Sequence, residues 1–238
     1  SAIRPTLEPR LFARECSSGC MADLPILHTA ACQAAGFLNI KPETLGVDSM
    51  SFNGSKVYGP KGVGVLFKKN RVQLEPLVYG GSQERGLRAG TESVALAAGM
   101  ALALELVEKR KTKEFKRLSG LRDWLIQKIL TKIPDTKLNG DAKKRLPNNI
   151  NISFQDIDGE MLMLGLNRQG FAVSTGSACT TSETGPSHVI KAINGLSSEA
   201  LAKEEGNLRI TLGRETTKKE LEKFLEVLKK EAEKLRRL

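Results

Sequence analysis

The sequence predicts an α/β layer followed by a compact α+β unit. Short apolar strands alternate with helix-compatible stretches up to about residue 110, the combination that builds layered α/β folds. Beyond it, alternating strands and clearly capped helices form a second pattern. Residues 1–25 read as an arm, because Pro5, Pro9, Cys16-Ser17-Ser18-Gly19-Cys20 and Pro25 interrupt any element. Residues 26–110 then read as part of a larger domain. Ala30 to Ala35 is small and helix-compatible, Val47 to Phe52 is short and half apolar, and Gly62 to Phe67 has the pattern of a buried strand. Thr91 to Arg110 reads as one helix, and Phe115, Leu118, Leu121, Leu125 and Ile129 keep helical spacing through the next. Residues 111–238 read as a small C-terminal domain. Ile150, Ile152 and Phe154 alternate as a strand, Asp158 is placed to cap a helix, and Leu208, Ile210 and Leu212 alternate again. Thr217-Lys218-Lys219-Glu220 is a capping box opening a last helix, striped by Leu221, Phe224, Leu225, Leu228, Ala232 and Leu235.

Composition narrows the function. The 238 residues are 40% hydrophobic and 27% charged, enough for one substantial core or two modest ones. No apolar run approaches the ~20 residues of a membrane span, and Ser1 to Arg14 lacks the apolar core of a signal peptide, so the cytoplasm is the expected compartment. The net charge of +10 raises nucleic acid as a partner, but basic residues interleave with acids and only 5% of residues are aromatic. Solvated helix faces account for that pattern better than a binding stripe does. Cys16, Cys20, Cys32 and Cys179 are too few and uneven for a disulfide framework. Cys16 and Cys20 stand at loose metal-ligand spacing without a second pair, so no metal is expected.

Two loops carry the chemistry. Lys56 sits in Ser51-Phe52-Asn53-Gly54-Ser55-Lys56-Val57-Tyr58-Gly59-Pro60-Lys61-Gly62, a small, polar, glycine-flanked setting that leaves room for a planar cofactor and its phosphate. Cys179 sits in Ser174-Thr175-Gly176-Ser177-Ala178-Cys179-Thr180-Thr181, among small residues that suit a travelling nucleophile. Together they suggest sulfur chemistry on pyridoxal phosphate. Arg209 shares a strand face with Thr211, opposite Leu208 and Ile210, and its planar fork suits a substrate carboxylate. Ser55 and Thr91 offer hydroxyls to phosphate oxygens.

From His28 onward the chain resembles the cysteine desulfurases, a branch of the class V aminotransferase-like enzymes. The resemblance rests on His28-Thr29-Ala30-Ala31-Cys32-Gln33-Ala34-Ala35-Gly36, the Lys56 loop, Gly80-Gly81-Ser82-Gln83-Glu84-Arg85-Gly86-Leu87-Arg88-Ala89-Gly90-Thr91, the Cys179 loop and Arg209-Ile210-Thr211-Leu212-Gly213-Arg214, in that order. It implies the remnant of a fold type I pyridoxal-phosphate transferase large domain, followed by an α+β small domain. It also implies roles: Lys56 holds the cofactor covalently and moves the substrate proton, and Cys179 takes sulfur from L-cysteine as a persulfide, leaving alanine. Gln33 resembles the residue that hydrogen-bonds the cofactor phenolate oxygen, His28 belongs to the same segment, and Ser55 and Thr91 belong with the phosphate. Implied partners are L-cysteine and a sulfur-acceptor protein of iron–sulfur cluster or thio-nucleotide synthesis, with a homodimer or a chain supplying further structure. Many members carry His at the position of Ser55.

The chain departs from the pattern in two places. The family has aspartate where this chain has Ala30, and roughly half of the family's chain precedes the His28 segment. These departures predict low activity for the chain alone, and they open a second reading: an interaction protein that keeps the fold without a competent cofactor site.

Overall fold

The computed structural model describes residues 25–176, 188–194 and 206–237. The expected arm, Cys16, Cys20 and Cys179 therefore lie outside the described residues. The chain divides into two units, 1–112 and 113–238.

The first unit is built on a three-stranded sheet in the order β1–β2–β3. Strand β1 (His28–Ala30) runs parallel to β2 (Ser49–Asn53), connected through the short helix α1 (Pro42–Leu45), and β3 (Gly64–Lys68) returns antiparallel. Because side chains alternate across a strand, register decides the chemistry of each face. His28 is opposite Ser49, and Ala30 is opposite Ser51, which places these four on one face with Asn53. Met50 and Phe52 take the other face, where Met50 packs with Ala31 and Val47. The sheet thus has one apolar face against the core and one face on which His28, Ser49, Ser51 and Asn53 lie with Leu66 of β3.

A buried carboxylate locks the base of this sheet. Asp48 accepts from the Leu27 amide at 3.0 Å, from Arg71 Nη2 at 2.6 Å and from Lys69 Nζ at 3.2 Å. The Leu27 amide first, and then the two cations, pull its pKa down to about 2. An unfolded Asp titrates near ~3.9, so the carboxylate's contribution is full above that value and is lost as pH falls toward about 2. Asp48→Asn should cost about 2–3 kcal/mol at neutral pH, less than a fully buried pair would, because Lys69 and Arg71 remain partly exposed. Urea titrations at pH 7 and pH 3 test this: the gap between wild type and variant must narrow at the lower pH.

Three elements differ from the sequence reading. Ala30 to Ala35 ends β1 and enters turns rather than a helix. The expected pair of helices is one helix, α2 (Val94–Lys132), of 39 residues, because Lys111-Thr112-Lys113-Glu114 contains no residue that breaks a helix. Strand β3 forms, but Val65 and Leu66 are exposed. As neighbours on a strand they point to opposite faces, so both faces of this edge carry uncovered apolar surface.

The second unit is an antiparallel sheet, β4 (Thr136–Leu138), β5 (Asn149–Phe154) and β6 (Asn207–Thr211), covered by helices. Ile150, Ile152, Phe154 and Leu208 are wholly buried. Helix α3 (Gly159–Arg168) is capped by the Asp158 side chain, which accepts from the amides of Glu160 and Met161. A short helix, α4 (His188–Asn194), follows. Helix α5 (Lys218–Leu235) opens with both halves of the Thr217–Glu220 capping box and buries Leu221, Phe224, Leu225, Leu228 and Ala232. Phe224 meets Phe171 edge to face at 5.4 Å between centroids. The turn between β6 and α5 is held by Arg117, whose guanidinium donates to the carbonyls of Gly213, Arg214 and Thr216.

Candidate functional site

Lys56 stands in a one-turn 3₁₀ segment, Gly54–Val57, directly after β2. The turn forms because Asn53 caps it: the Asn53 side-chain oxygen accepts from the Lys56 amide at 3.2 Å and from the Ser55 hydroxyl at 3.2 Å. Val57 anchors the turn, wholly buried against Ala35, Ala103 and Val107, while Ser55 and Lys56 are exposed. Gly54 is required sterically. A Cβ there would come within 2.6 Å of the Pro60 carbonyl oxygen and 2.9 Å of Val63 Cγ1. The lysine is thereby presented, exposed, on a base formed by the buried Gly54 and Val57.

The polar face of the sheet leads to this turn. The His28 ring lies across β2: Nδ1 is 2.7 Å from Ser49 Oγ, and Nε2 is 3.3 Å from Ser51 Oγ. His28, Ser49 and Ser51 form one hydrogen-bonded group and Asn53, Ser55 and Lys56 a second, following each other along one polar strip of the chain. Gln33 is exposed in the turns after β1, and the Cβ position of Gly36 is 3.8 Å from the Lys56 carbonyl oxygen, which brings that turn beside the lysine turn. Thr91 is exposed, just before α2, and among the described residues it shares no hydrogen bond with the strip. The loop before it is conformationally strained: Glu84 and Arg85 have φ of 49° and 59°, a region that favours glycine.

Arg209 belongs to the second unit, on β6. Its register partner is Asn151, so its side chain shares a face with Asn151 and Ser153, which are joined through the Asn139 amide at 2.7 and 2.8 Å. Among the described residues its guanidinium meets no carboxylate. The Arg209 backbone pairs with Ser174 in both directions, at 2.6 and 3.2 Å. The segment that leads to Cys179 thus departs from the strand that carries Arg209. Among the described residues no cluster of His, Cys, Asp and Glu could hold a metal, and no helix is long and apolar enough to cross a membrane.

The donor set suits pyridoxal phosphate: an exposed amine on a capped turn, with the Ser55 hydroxyl beside it. Sequence reasoning overlooked Ser49, Ser51 and the cap Asn53. The alternation of polar residues along Ser49-Met50-Ser51-Phe52-Asn53 was the available signal.

Comparison with known proteins agrees with this chemistry. The aminotransferase class-V family matches residues 21–224. A cysteine desulfurase IscS of Dictyoglomus turgidum is 46% identical over 209 residues, covering 88% of this chain and 52% of that protein. A cysteine desulfurase IscS of Clostridium botulinum is 43% identical, covering 94% of this chain and 55% of its own length. Among solved structures, a NifS-like protein superposes with a TM-score of 0.74 at 32% identity, over 90% of this chain and 53% of that one. The chain thus spans about half the length of the curated relatives it matches.

Proposed function

The chain belongs to the class-V aminotransferase family, and from that premise we propose that it takes part in pyridoxal-phosphate-dependent removal of sulfur from L-cysteine, giving alanine and a persulfide on Cys179. The observation that carries this reading is the presentation of Lys56, exposed on a capped turn at the end of a polar strip, in a chain of this family.

Lys56 would hold the cofactor through its amine, with Ser55 toward its phosphate and Gln33 toward its phenolate oxygen, while Thr91, at the end of the Gly80 to Thr91 loop, would reach the cofactor phosphate of a second subunit. When bound, pyridoxal phosphate supplies an electron sink for the carbon bearing the amino group. Arg209 would pair with the substrate carboxylate, and the Lys56 amine would remove and return protons. The Cys179 thiolate would attack the substrate sulfur. A sulfur–sulfur bond forms, the Cβ–S bond breaks, and the electron pair left on Cβ is protonated to give the methyl group of alanine. The persulfide would then be passed to an acceptor protein of iron–sulfur cluster or thio-nucleotide synthesis.

Borohydride reduction in the presence of pyridoxal phosphate, followed by peptide mass spectrometry, is the direct test. The cofactor mass should appear on the peptide containing Lys56 and be absent in Lys56→Ala. Labelling at scattered surface lysines, unchanged in the variant, would remove this reading in favour of the second one, an interaction protein that keeps the fold. The uncovered Val65 and Leu66 support that alternative.

A further inference from the structure

The polar strip that leads to Lys56 contains no acid. From Ser49 to Leu74 the sequence has no Asp or Glu, and neither does the stretch from His28 to Pro42. Asp48, adjoining β2, has both carboxylate oxygens committed to Leu27, Lys69 and Arg71 at the base of the sheet. A pyridoxal phosphate ring held on a lysine ordinarily has its nitrogen tuned by a charged side chain, Asp or Arg. On this face Ser51 is flanked by Ala30 on β1 and Leu66 on β3, neither of which offers a polar side-chain atom.

What the face offers instead is a chain of neutral groups. The His28 ring sits between two hydroxyls, 2.7 Å from Ser49 Oγ at Nδ1 and 3.3 Å from Ser51 Oγ at Nε2. The shorter contact suits an O–H donated to a ring nitrogen. With Ser49, buried, donating to Nδ1, the tautomer assigned to match carries its proton on Nε2, and Nε2–H donates to Ser51 Oγ. That arrangement leaves the Ser51 hydroxyl hydrogen free, on the half-buried strand that runs into Lys56. Donors arranged in series polarise one another, so the last hydroxyl is a better donor than an isolated serine.

We infer that Ser51, oriented by His28 and Ser49, is the uncharged partner of the cofactor ring nitrogen in this protein, which keeps that nitrogen unprotonated. The inference rests on the Lys56 reading given above. A neutral pyridine withdraws electrons less strongly than a pyridinium. The site would therefore favour steps that need only modest carbanion stabilisation, and restoring a carboxylate should accelerate proton removal from the substrate by about ten- to a few-hundredfold, the range expected for one charge-assisted hydrogen bond realised in the transition state.

The test loads the full chain with pyridoxal phosphate labelled with ¹⁵N in the ring and reads the nitrogen resonance, with borohydride trapping at Lys56 run in parallel. Wild type should give a pyridine-type signal displaced by hydrogen bonding. Ser51→Ala should move it toward that of free pyridine, and Ala30→Asp should carry it to the pyridinium range. A pyridinium-type signal in wild type, or a Ser51→Ala signal identical to wild type, overturns the assignment while trapping at Lys56 stands. Failure to trap the cofactor at Lys56 at all overturns the parent reading and this assignment with it.

Discussion

Arg209→Leu should raise the L-cysteine concentration that half-saturates the cofactor-loaded chain by about thirty- to a thousandfold, corresponding to roughly 2–4 kcal/mol for leaving a carboxylate without its charged partner. The expectation follows from where β6 puts the residue. Arg209 is half-buried on a face whose neighbours, Asn151 and Ser153, are neutral, and among the described residues no acid competes for its fork. Its strand is fixed from both sides, by Ile150–Ile210 pairing within the sheet and by the backbone bridge to Ser174. Arg209→Lys should recover only part of the affinity, because a point charge cannot reproduce a two-pronged contact. Half-saturation is read from the perturbation of cofactor absorbance by L-cysteine. An unchanged value in Arg209→Leu, with trapping at Lys56 intact, would take the substrate carboxylate away from this residue.

The second large effect concerns the platform on which Arg209 rests. Phe154→Ala should destabilise the second unit by about 3–5 kcal/mol, since a wholly buried ring leaves a cavity that a sheet cannot collapse to fill. Phe154 closes β5: it is opposite Thr136 on β4, and its amide donates to the Gly206 carbonyl at 2.8 Å beside the start of β6. With a typical denaturant slope, the urea midpoint should fall by about 2 M. Trp124 reports it cleanly, being the single tryptophan and lying in this unit, with the Lys218 ammonium 5.5 Å from its ring. Met161→Ala is the control, because that side chain is 51% exposed and should shift stability by less than about 0.5 kcal/mol. Equal losses in both variants would mean that the sheet core does not carry the unit's stability.

The second unit was legible in the sequence because its signals are local. Asp158 and Thr217 cap helices through hydrogen bonds spanning a few residues. The alternation of Ile150, Ile152 and Phe154 sorts a strand's faces without reference to any partner. The Lys56 segment was legible as a small glycine-flanked loop, while its Asn53 cap and the burial of Val57 emerged only from the structure. Less local matters went astray. Two successive helices were expected to meet near residue 110, yet α2 continues, because the residues there include no Gly or Pro to break it. The apolar run of β3 was read as buried, but burial depends on what packs over a strand, and nothing among the described residues covers Val65 and Leu66.

The sequence by itself therefore determined the element types of the second unit and the glycine-flanked loop that carries Lys56. Only the tertiary structure decided that His28 spans Ser49 and Ser51, that Ala30 is opposite Ser51, and that Asp48 is committed to the base of the sheet. The physical reason is register. Strands β1 and β2 are separated by a connection through α1, so which of their residues meet is set by the packing of Met50, Val47 and Ala31 into a shared core, and a shift of one residue would have turned every serine on the polar face inward.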